Sequence, residues 1–379
     1  MNLLYKSCLG PLFYAQRASQ RSLFISICKI FARIMFYRVT INGVNEANLL
    51  FINNSMQRQD LLQDYEVLRS YFLKKGIKSN NATFQYKLNP LGINFNNIIK
   101  LTYHKNLRAA NYQSLLKYRS TRIGALARLY LFLRISEAAI IFDHFSEYIS
   151  RSTIRQVIVH KEMEFLQNIF VLASKQNKVQ TIALQHGFYE DSGEMVNVQN
   201  VNSINYLASV SDLIWCWGET SKLLFQRYTR TPICVIGIPS DLQSIKEQFS
   251  EKCAVILDSV DRVDTNCSLE AIAKQHNSVI FYHPDDPRYT ERVKDLLSTN
   301  AKFYLGCHSS FLLKAKLAGR EVLLLPGSRL LEAGHLDIDG DTGLVKFTDN
   351  LMQCHVRQSG LQSCELAFQS LKFAGATSR

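Results

Sequence analysis

A chain of 379 residues with 47% apolar content can bury a sizeable core, and two domains of ordinary size are expected. The formal net charge of +12 favours an anionic partner, a membrane surface, an acidic glycan or a nucleotide, with a solvated basic face that has no specific partner as the alternative. No helix-turn-helix, zinc-finger spacing or RNP-like motif is present, so nucleic acid is set aside, and nine scattered cysteines without a C-x-x-C pair argue against a disulfide framework or a zinc site.

The positive excess belongs to the N-terminal half. No Asp or Glu precedes Glu46, whereas Lys6, Arg17, Arg21, Lys29, Arg33 and Arg38 do; thirteen Lys and Arg then lie between Glu66 and Glu137 with no acid among them. Residues 1–45 read as a basic leader. Within it Leu23 to Tyr37 is apolar but interrupted by Lys29 and Arg33, and at roughly 15 residues it is shorter than a bilayer span. Ser22, Ser26, Lys29 and Arg33 share one helical stripe, which fits a helix lying in a membrane interface and equally one packed on the protein.

Asn48 to Ile52 reads as a first buried strand, followed by a helix from about Asp60 to Lys75 that Gly76 ends as a C′ glycine. Residues 80–111 give no clear element, and a basic helix is expected from Tyr112 to Leu133. Ala138 to Phe142 is an apolar run of strand length closed by Asp143-His144. A helix is expected over Lys161 to Lys175, and a strand over Val179 to Leu184 that delivers Gln185-His186-Gly187. Asp212 to Cys216 and Ile233 to Ile236 are two more strands, and Gly237-Ile238-Pro239 is the expected hinge.

Beyond it, strands over Ala254 to Leu257, Val279 to Tyr282, Lys302 to Leu305 and Glu321 to Leu325 alternate with helices over Leu269 to Gln275, Tyr289 to Leu297 and Ser309 to Leu317. A tail helix is expected within Leu351 to Phe373. Such alternation predicts an α/β protein with two Rossmann-like domains facing across a cleft. The expected boundaries are 46–238 and 239–350, with the tail at 351–379.

Ligands of open α/β sheets bind where the strands end, so polar residues at those points are the candidates. Ser309-Ser310 stands at a helix start just after Gly306-Cys307-His308, where unpaired N–H groups and two hydroxyls can hold an anion, although a serine there also serves as an ordinary N-cap. His283-Pro284 closes the strand one β-α unit earlier and can donate to a phosphate or ribose oxygen. In the other half His186 is a candidate general base, histidine being the side chain whose unperturbed pKa suits that task near neutral pH, or else a structural histidine; Gly187 permits close backbone approach. Asp143, beside His144, is a second base or the group that orients His186; Glu190 and Asp191 rank below it. Asp337-x-Asp339-Gly340-Asp341 reads as a tight turn, since Thr348 stands where an EF-hand needs Glu, and no metal is expected. Walker A, G-x-G-x-x-G and G-x-S-x-G motifs are absent, which counts against an ATPase, a dehydrogenase and an α/β-hydrolase.

Leu184-Gln185-His186-Gly187, Trp217-Gly218-Glu219, Val235-Ile236-Gly237-Ile238-Pro239, His283-Pro284 and Ser309-Ser310 with Ala315-x-x-Ala318-Gly319 resemble segments of bacterial surface-polysaccharide glycosyltransferases of the GT-B fold. That group includes capsule and lipopolysaccharide transferases, bacterial sialyltransferases and CDP-glycerol glycerophosphotransferases. The resemblance covers roughly Ile140 to Pro326; in place of the acidic-acidic-Gly and Trp-His-Gly forms of two subgroups, this chain has Gln-His-Gly. It implies a nucleotide-sugar donor, with CMP or CDP slightly preferred over UDP, held by His283, Pro284, Gly306, Ser309 and Ser310. It also implies His186 as base, with Gln185, Gly187, His144, Glu190 and Glu219 on the acceptor side. An inverting, metal-independent transfer to a glycan or lipid-linked acceptor is expected at the cytoplasmic face of an anionic membrane. A nucleotide-sugar epimerase or hydrolase, and a non-catalytic partner of the same fold, are the alternatives.

Overall fold

The computed structural model describes residues 3–42, 47–52, 59–89, 92–185, 207–239, 251–258, 262–282, 286–288, 301–331, 344–349 and 356–376, apart from positions 95–96, 98, 102–104, 120–121, 161, 163, 310, 327, 329, 348 and 357–358. In chain order, a 3-10 turn at Leu4–Cys8 precedes α1 (Leu9–Arg17), α2 (Gln20–Phe36), β1 (Tyr37–Asn42), β2 (Leu49–Ile52), α3 (Gln59–Lys74) and β3 (Ser79–Leu88). Next come α4 (Lys105–Leu116), α5 (Ala125–Ser150), β4 (Gln156–Val159), α6 (Phe165–Gln176), β5 (Gln180–Leu184), β6 (Leu213–Cys216), α7 (Glu219–Tyr228) and β7 (Ile233–Val235). The remainder is β8 (Glu251–Ile256), α8 (Val263–Gln275), β9 (Val279–Phe281), β10 (Ala301–Gly306), α9 (Phe311–Leu317), β11 (Glu321–Leu324), β12 (Val345–Lys346) and α10 (Gly360–Ala376).

The strands form two sheets. The first runs β1-β3-β2-β4-β5-β6-β7, parallel except for β1 against β3; the second runs β12-β11-β10-β8-β9, parallel except for β12 against β11. Central parallel strands are buried on both faces, so they read as continuous apolar runs, and Leu49 to Ile52 is fully buried throughout. Alternate residues still separate the two faces. Leu49, Phe51, Ile158, Leu184 and Trp215 pack with Tyr65, Leu68 and Phe72 of α3 and with Cys364 and Ala367 of α10. Leu50, Ile52, Val157 and Val159 pack on the other side with α1, α2, α5 and α6. In the second sheet Ala254, Ile256 and Tyr304 face α9, while Val255, Leu257 and Leu305 face α8. Helices on both faces of two parallel sheets make the α/β, GT-B-like plan expected from the sequence.

Three expectations fail locally. Ala138 to Phe142 is no strand; it lies in the middle of α5, and the strand of that region is β4. The reason is burial: α2, α4 and α6 cover α5 from several sides, so its sequence is apolar nearly all round and five residues of it look like a strand. Asp143 and His144 therefore sit within a helix, and the strand-end argument for them lapses. The basic helix expected over Tyr112 to Leu133 is two helices, broken where Gly124 adopts an extended N-cap conformation. Residues 80–111, which give no clear element in the sequence, include most of β3: Ala82 and Phe84 share one face of that strand, Ser79 lies on the other, and β1 of the leader pairs with it.

The leader thus packs on the protein. In α2, Leu23, Ile30 and Ile34 are buried and Arg33 reaches inward to Glu137 at 2.7 Å, while Phe24 and Phe31 are 59% and 54% exposed. No helix among the described residues is long and apolar enough to cross a membrane. The tail helix α10 returns to the first sheet, where the Trp215 indole N–H donates to Ser370 Oγ at 2.8 Å. Both crossings between the sheets run side by side, Gly360 N–H donating to the Ile238 carbonyl at 3.0 Å.

Candidate functional site

In a doubly wound sheet the connections leave neighbouring strands in opposite directions at one place, and the crevice opens beyond the carboxyl ends there. In the second sheet this place is between β8 and β10: β8 leads through α8 to β9 on one side, and β10 leads through α9 to β11 on the other. In the first sheet it is between β2 and β4.

Asp258, two residues past β8, is 4% exposed, and its carboxylate oxygens accept the His308 backbone N–H at 3.1 and 3.2 Å. Asn266 of α8 fixes the Asp258 main chain from both sides, accepting its N–H at 2.9 Å and donating to its carbonyl at 3.2 Å. Past β10, Cys307 Sγ lies 3.4 Å from His308 Nε2, and the Ser328 hydroxyl donates to the Cys307 carbonyl. Ser309 Oγ accepts the Phe311 N–H at 3.3 Å, so this serine caps the start of α9. Gly306 lets α9 lie close: a Cβ there would stand 2.8 Å from Leu312 Cδ1 and 3.2 Å from the Ile256 carbonyl oxygen.

Burial, and then the Arg262 guanidinium, push the His308 pKa down to about 4. Burial, and then the Asp258 carboxylate, push the Cys307 thiol up to about 12. Near neutral pH the imidazole is therefore uncharged, able to donate from one ring nitrogen and accept or ligate with the other, and the thiol keeps its proton.

At the first crevice His160 follows β4 and is buried, its ring stacked on Tyr65 with centroids 3.9 Å apart. The Tyr65 hydroxyl is shared between the carbonyls of Ile52 and Ile158, the ends of β2 and β4, at 3.0 and 3.2 Å. Beside Tyr65, Asp64 pairs with Lys314 of α9 at 3.5 Å, both side chains buried. Asp64 lies in α3, the helix that follows β2, and Lys314 in α9, the helix that follows β10, so this ion pair links a helix of the first sheet to a helix of the second.

The sequence-predicted residues divide among these places. Gly306 and Ser309 stand at the second crevice. Gln185 directly follows β5 but is 1% exposed; its Oε1 accepts the Trp217 N–H at 2.8 Å and its Nε2 donates to Ser221 Oγ at 2.9 Å, which holds the turn from β6 into α7. Glu219 opens α7, exposed and paired with Lys222 at 3.0 Å, where a carboxylate suits the helix N-terminus. Asp143 and His144 are helical, and His144 packs toward the backbone of Val39 in β1, on the strand at the sheet's far edge. His186, Gly187, Glu190, Asp191, His283, Pro284 and Ser310 lie outside the described residues, as do the expected helix at 289–297 and the Asp337 turn. Asp258, His160, Cys307 and His308 were not singled out. In the sequence Asp258 is legible as the first acid after an apolar strand, whereas the apolar run at 138–142 masks the strand that His160 follows.

No family model matches the chain, and no curated protein matches it. Among solved structures it is similar to CalG4, the calicheamicin glycosyltransferase, at 13% identity and TM-score 0.39 over 76% of this chain and 81% of that one. It is also similar to a UDP-GlcNAc 2-epimerase from Neisseria meningitidis bound to UDP-GlcNAc, at 14% identity and TM-score 0.42 over 73% and 82%. A UDP-forming α,α-trehalose-phosphate synthase from Burkholderia vietnamiensis matches at 10% identity and TM-score 0.36 over 73% and 84%. Likeness at that level does not carry activity or substrate from one chain to another.

Proposed function

We propose that the chain is a glycosyltransferase that takes a sugar from a nucleotide-activated donor and passes it, with inversion, to a surface-polysaccharide or lipopolysaccharide-type acceptor. The observation that supports this most is the set of groups at the second switch point: Arg262, His308 and Ser309 beside the buried Asp258. A cation, a neutral imidazole and a hydroxyl at the strand ends suit an anionic leaving group, whose charge grows as the glycosidic bond breaks. His283 and Ser310 are proposed to share that task. His186 is proposed to take the proton from the acceptor hydroxyl as its oxygen attacks the anomeric carbon and the nucleotide phosphate departs. The first crevice, lined by Tyr65 and His160, is proposed to receive the acceptor. The basic leader is proposed to hold the protein at the anionic cytoplasmic face of a membrane.

Thermal unfolding with CMP, CDP, UDP and GDP tests the donor assignment. One nucleotide, with the cytidine forms expected, should stabilise the protein by about 2.7 kcal/mol at a hundredfold excess over its Kd, and Ser309→Ala should reduce the shift. No stabilisation by any of the four would overturn the assignment. Epimerised or free sugar formed from a nucleotide-sugar without acceptor would instead mark an epimerase or hydrolase.

A further inference from the structure

We propose that Asp258, Cys307 and His308 form a binding site for a divalent transition metal of the zinc class. This goes beyond the donor assignment and runs against the metal-free chemistry expected from the sequence. Each residue offers one ligand atom, and these atoms all lie within 4.8 Å of one another. Thiolate, imidazole and carboxylate together form a donor set suited to zinc, whereas calcium and magnesium take oxygen alone. The Cys307 Sγ to His308 Nε2 separation is 3.4 Å. Zinc bonds of about 2.3 Å to sulfur and about 2.0–2.1 Å to nitrogen give a tetrahedral edge of about 3.5 Å. Two of the donors therefore already stand an ion's edge apart.

The frame around them is fixed. Asn266 holds the Asp258 main chain, Ser328 holds the Cys307 carbonyl, and the His308 backbone N–H orients the Asp258 carboxylate. Supporting contacts of this kind orient the ligands of metal sites. Binding forms a metal–sulfur bond and breaks the Cys307 S–H bond, the proton leaving to solvent; nothing is oxidised or reduced. Thiolate and carboxylate then supply two negative charges against the ion's two positive ones. Arg262 is the cation beside the cluster. It opposes the metal, and it favours an anion or hydroxide in the fourth position that three protein ligands leave open.

The test is a titration of the chelator-stripped full-length protein with Co(II), followed by absorbance and without nucleotide, so its outcome is independent of the donor assignment. One equivalent should produce a sulfur-to-cobalt charge-transfer band together with the strong visible bands of a tetrahedral ion, and zinc should displace both. Cys307→Ser should abolish the charge-transfer band. His308→Ala, which leaves every cysteine in place, should weaken binding about 100-fold or more, at least the loss seen when supporting groups are removed. Cys267→Ser, at an exposed cysteine of α8, should leave the titration unchanged. Absence of the band in the unmutated protein overturns the proposal even if Cys307→Ser fails to fold. A band that survives Cys307→Ser, or unchanged affinity in His308→Ala, overturns it as well.

Discussion

Glu137 of α5 ties the leader to the fold: its carboxylate accepts from Arg33 Nε at 2.7 Å, from the Tyr86 hydroxyl at 3.0 Å and from Arg134. A charge with 3% exposure persists only if paired, and Arg134 spreads its guanidinium over the Phe165 ring at 3.7 Å as well. Glu137→Gln removes the negative centre and leaves two guanidinium groups facing each other in a poorly solvated space. The expected loss is about 3–5 kcal/mol, read by urea unfolding; a loss below about 1 kcal/mol would mean that the cluster is replaceable. His144 supplies a pH test. Burial first, and then the charge of Lys100, hold its pKa below the ordinary histidine value. The unfolded chain therefore binds a proton that the folded one refuses, and stability should fall as pH drops below about 6.5. His144→Gln should flatten that part of the profile. If the wild-type and variant profiles run parallel from pH 7 to 5, His144 carries none of it.

At the scale of elements, α2 presents a buried face and an exposed one that is also apolar in part. Its inner face is core and its outer face exposes Phe24, Ile25 and Phe31, with Arg21 and Lys29 beside them and no acid in the first 45 residues. The proposed membrane association rests on these two features, an apolar face to insert and a basic flank to meet anionic headgroups. Phe24→Ser with Phe31→Ser should reduce sedimentation with phosphatidylserine vesicles about tenfold or more, since two large apolar groups leave the interface, with unfolding unchanged within about 0.5 kcal/mol. Equal sedimentation of the double variant would remove the membrane from the account. The sequence pattern did not separate these faces, because Arg33 looked like a solvent-facing charge and turned inward. The parallel strands were legible wherever an apolar run stood alone between turns, as at Leu49 to Ile52 or Val179 to Leu184, and Gly76 marked the end of α3 correctly, with φ at +82°. Reading failed where tertiary cover changed the pattern. The half-exposed strands β1 and β3 lack a continuous apolar run, and the enclosed α5 has too much of one. Legibility of the site followed the same division. Ser309 and Gly306 were found because a strand and a helix could both be placed around them. His160 was lost with its strand, and Asp258 was passed over because a single acid after a strand has no motif around it.

For the whole molecule the question is what holds two α/β units in one arrangement when, among the described residues, the backbone segments that join them meet at Ile238 and Ser359. Trp217, at the end of β6, buries its ring in the cluster of the second unit with Ile238 and Tyr304. The tail helix α10 returns to α3. Asp64 with Lys314 adds a charged link between α3 and α9 with both partners out of solvent. Lys314→Met keeps the length of the side chain and removes the ammonium, leaving the Asp64 carboxylate buried against an apolar neighbour. The expected cost is about 3–5 kcal/mol. If the deficit comes from the stranded carboxylate, Asp64→Leu added to Lys314→Met should recover most of it, because an apolar pair of similar volume needs no solvation. Chemical unfolding of the wild type, both single variants and the double variant closes the cycle, with a coupling of about 1–3 kcal/mol expected for groups in contact. A coupling near zero would mean that the ion pair does not link the units, and that the apolar contacts of Trp217 and α10 do.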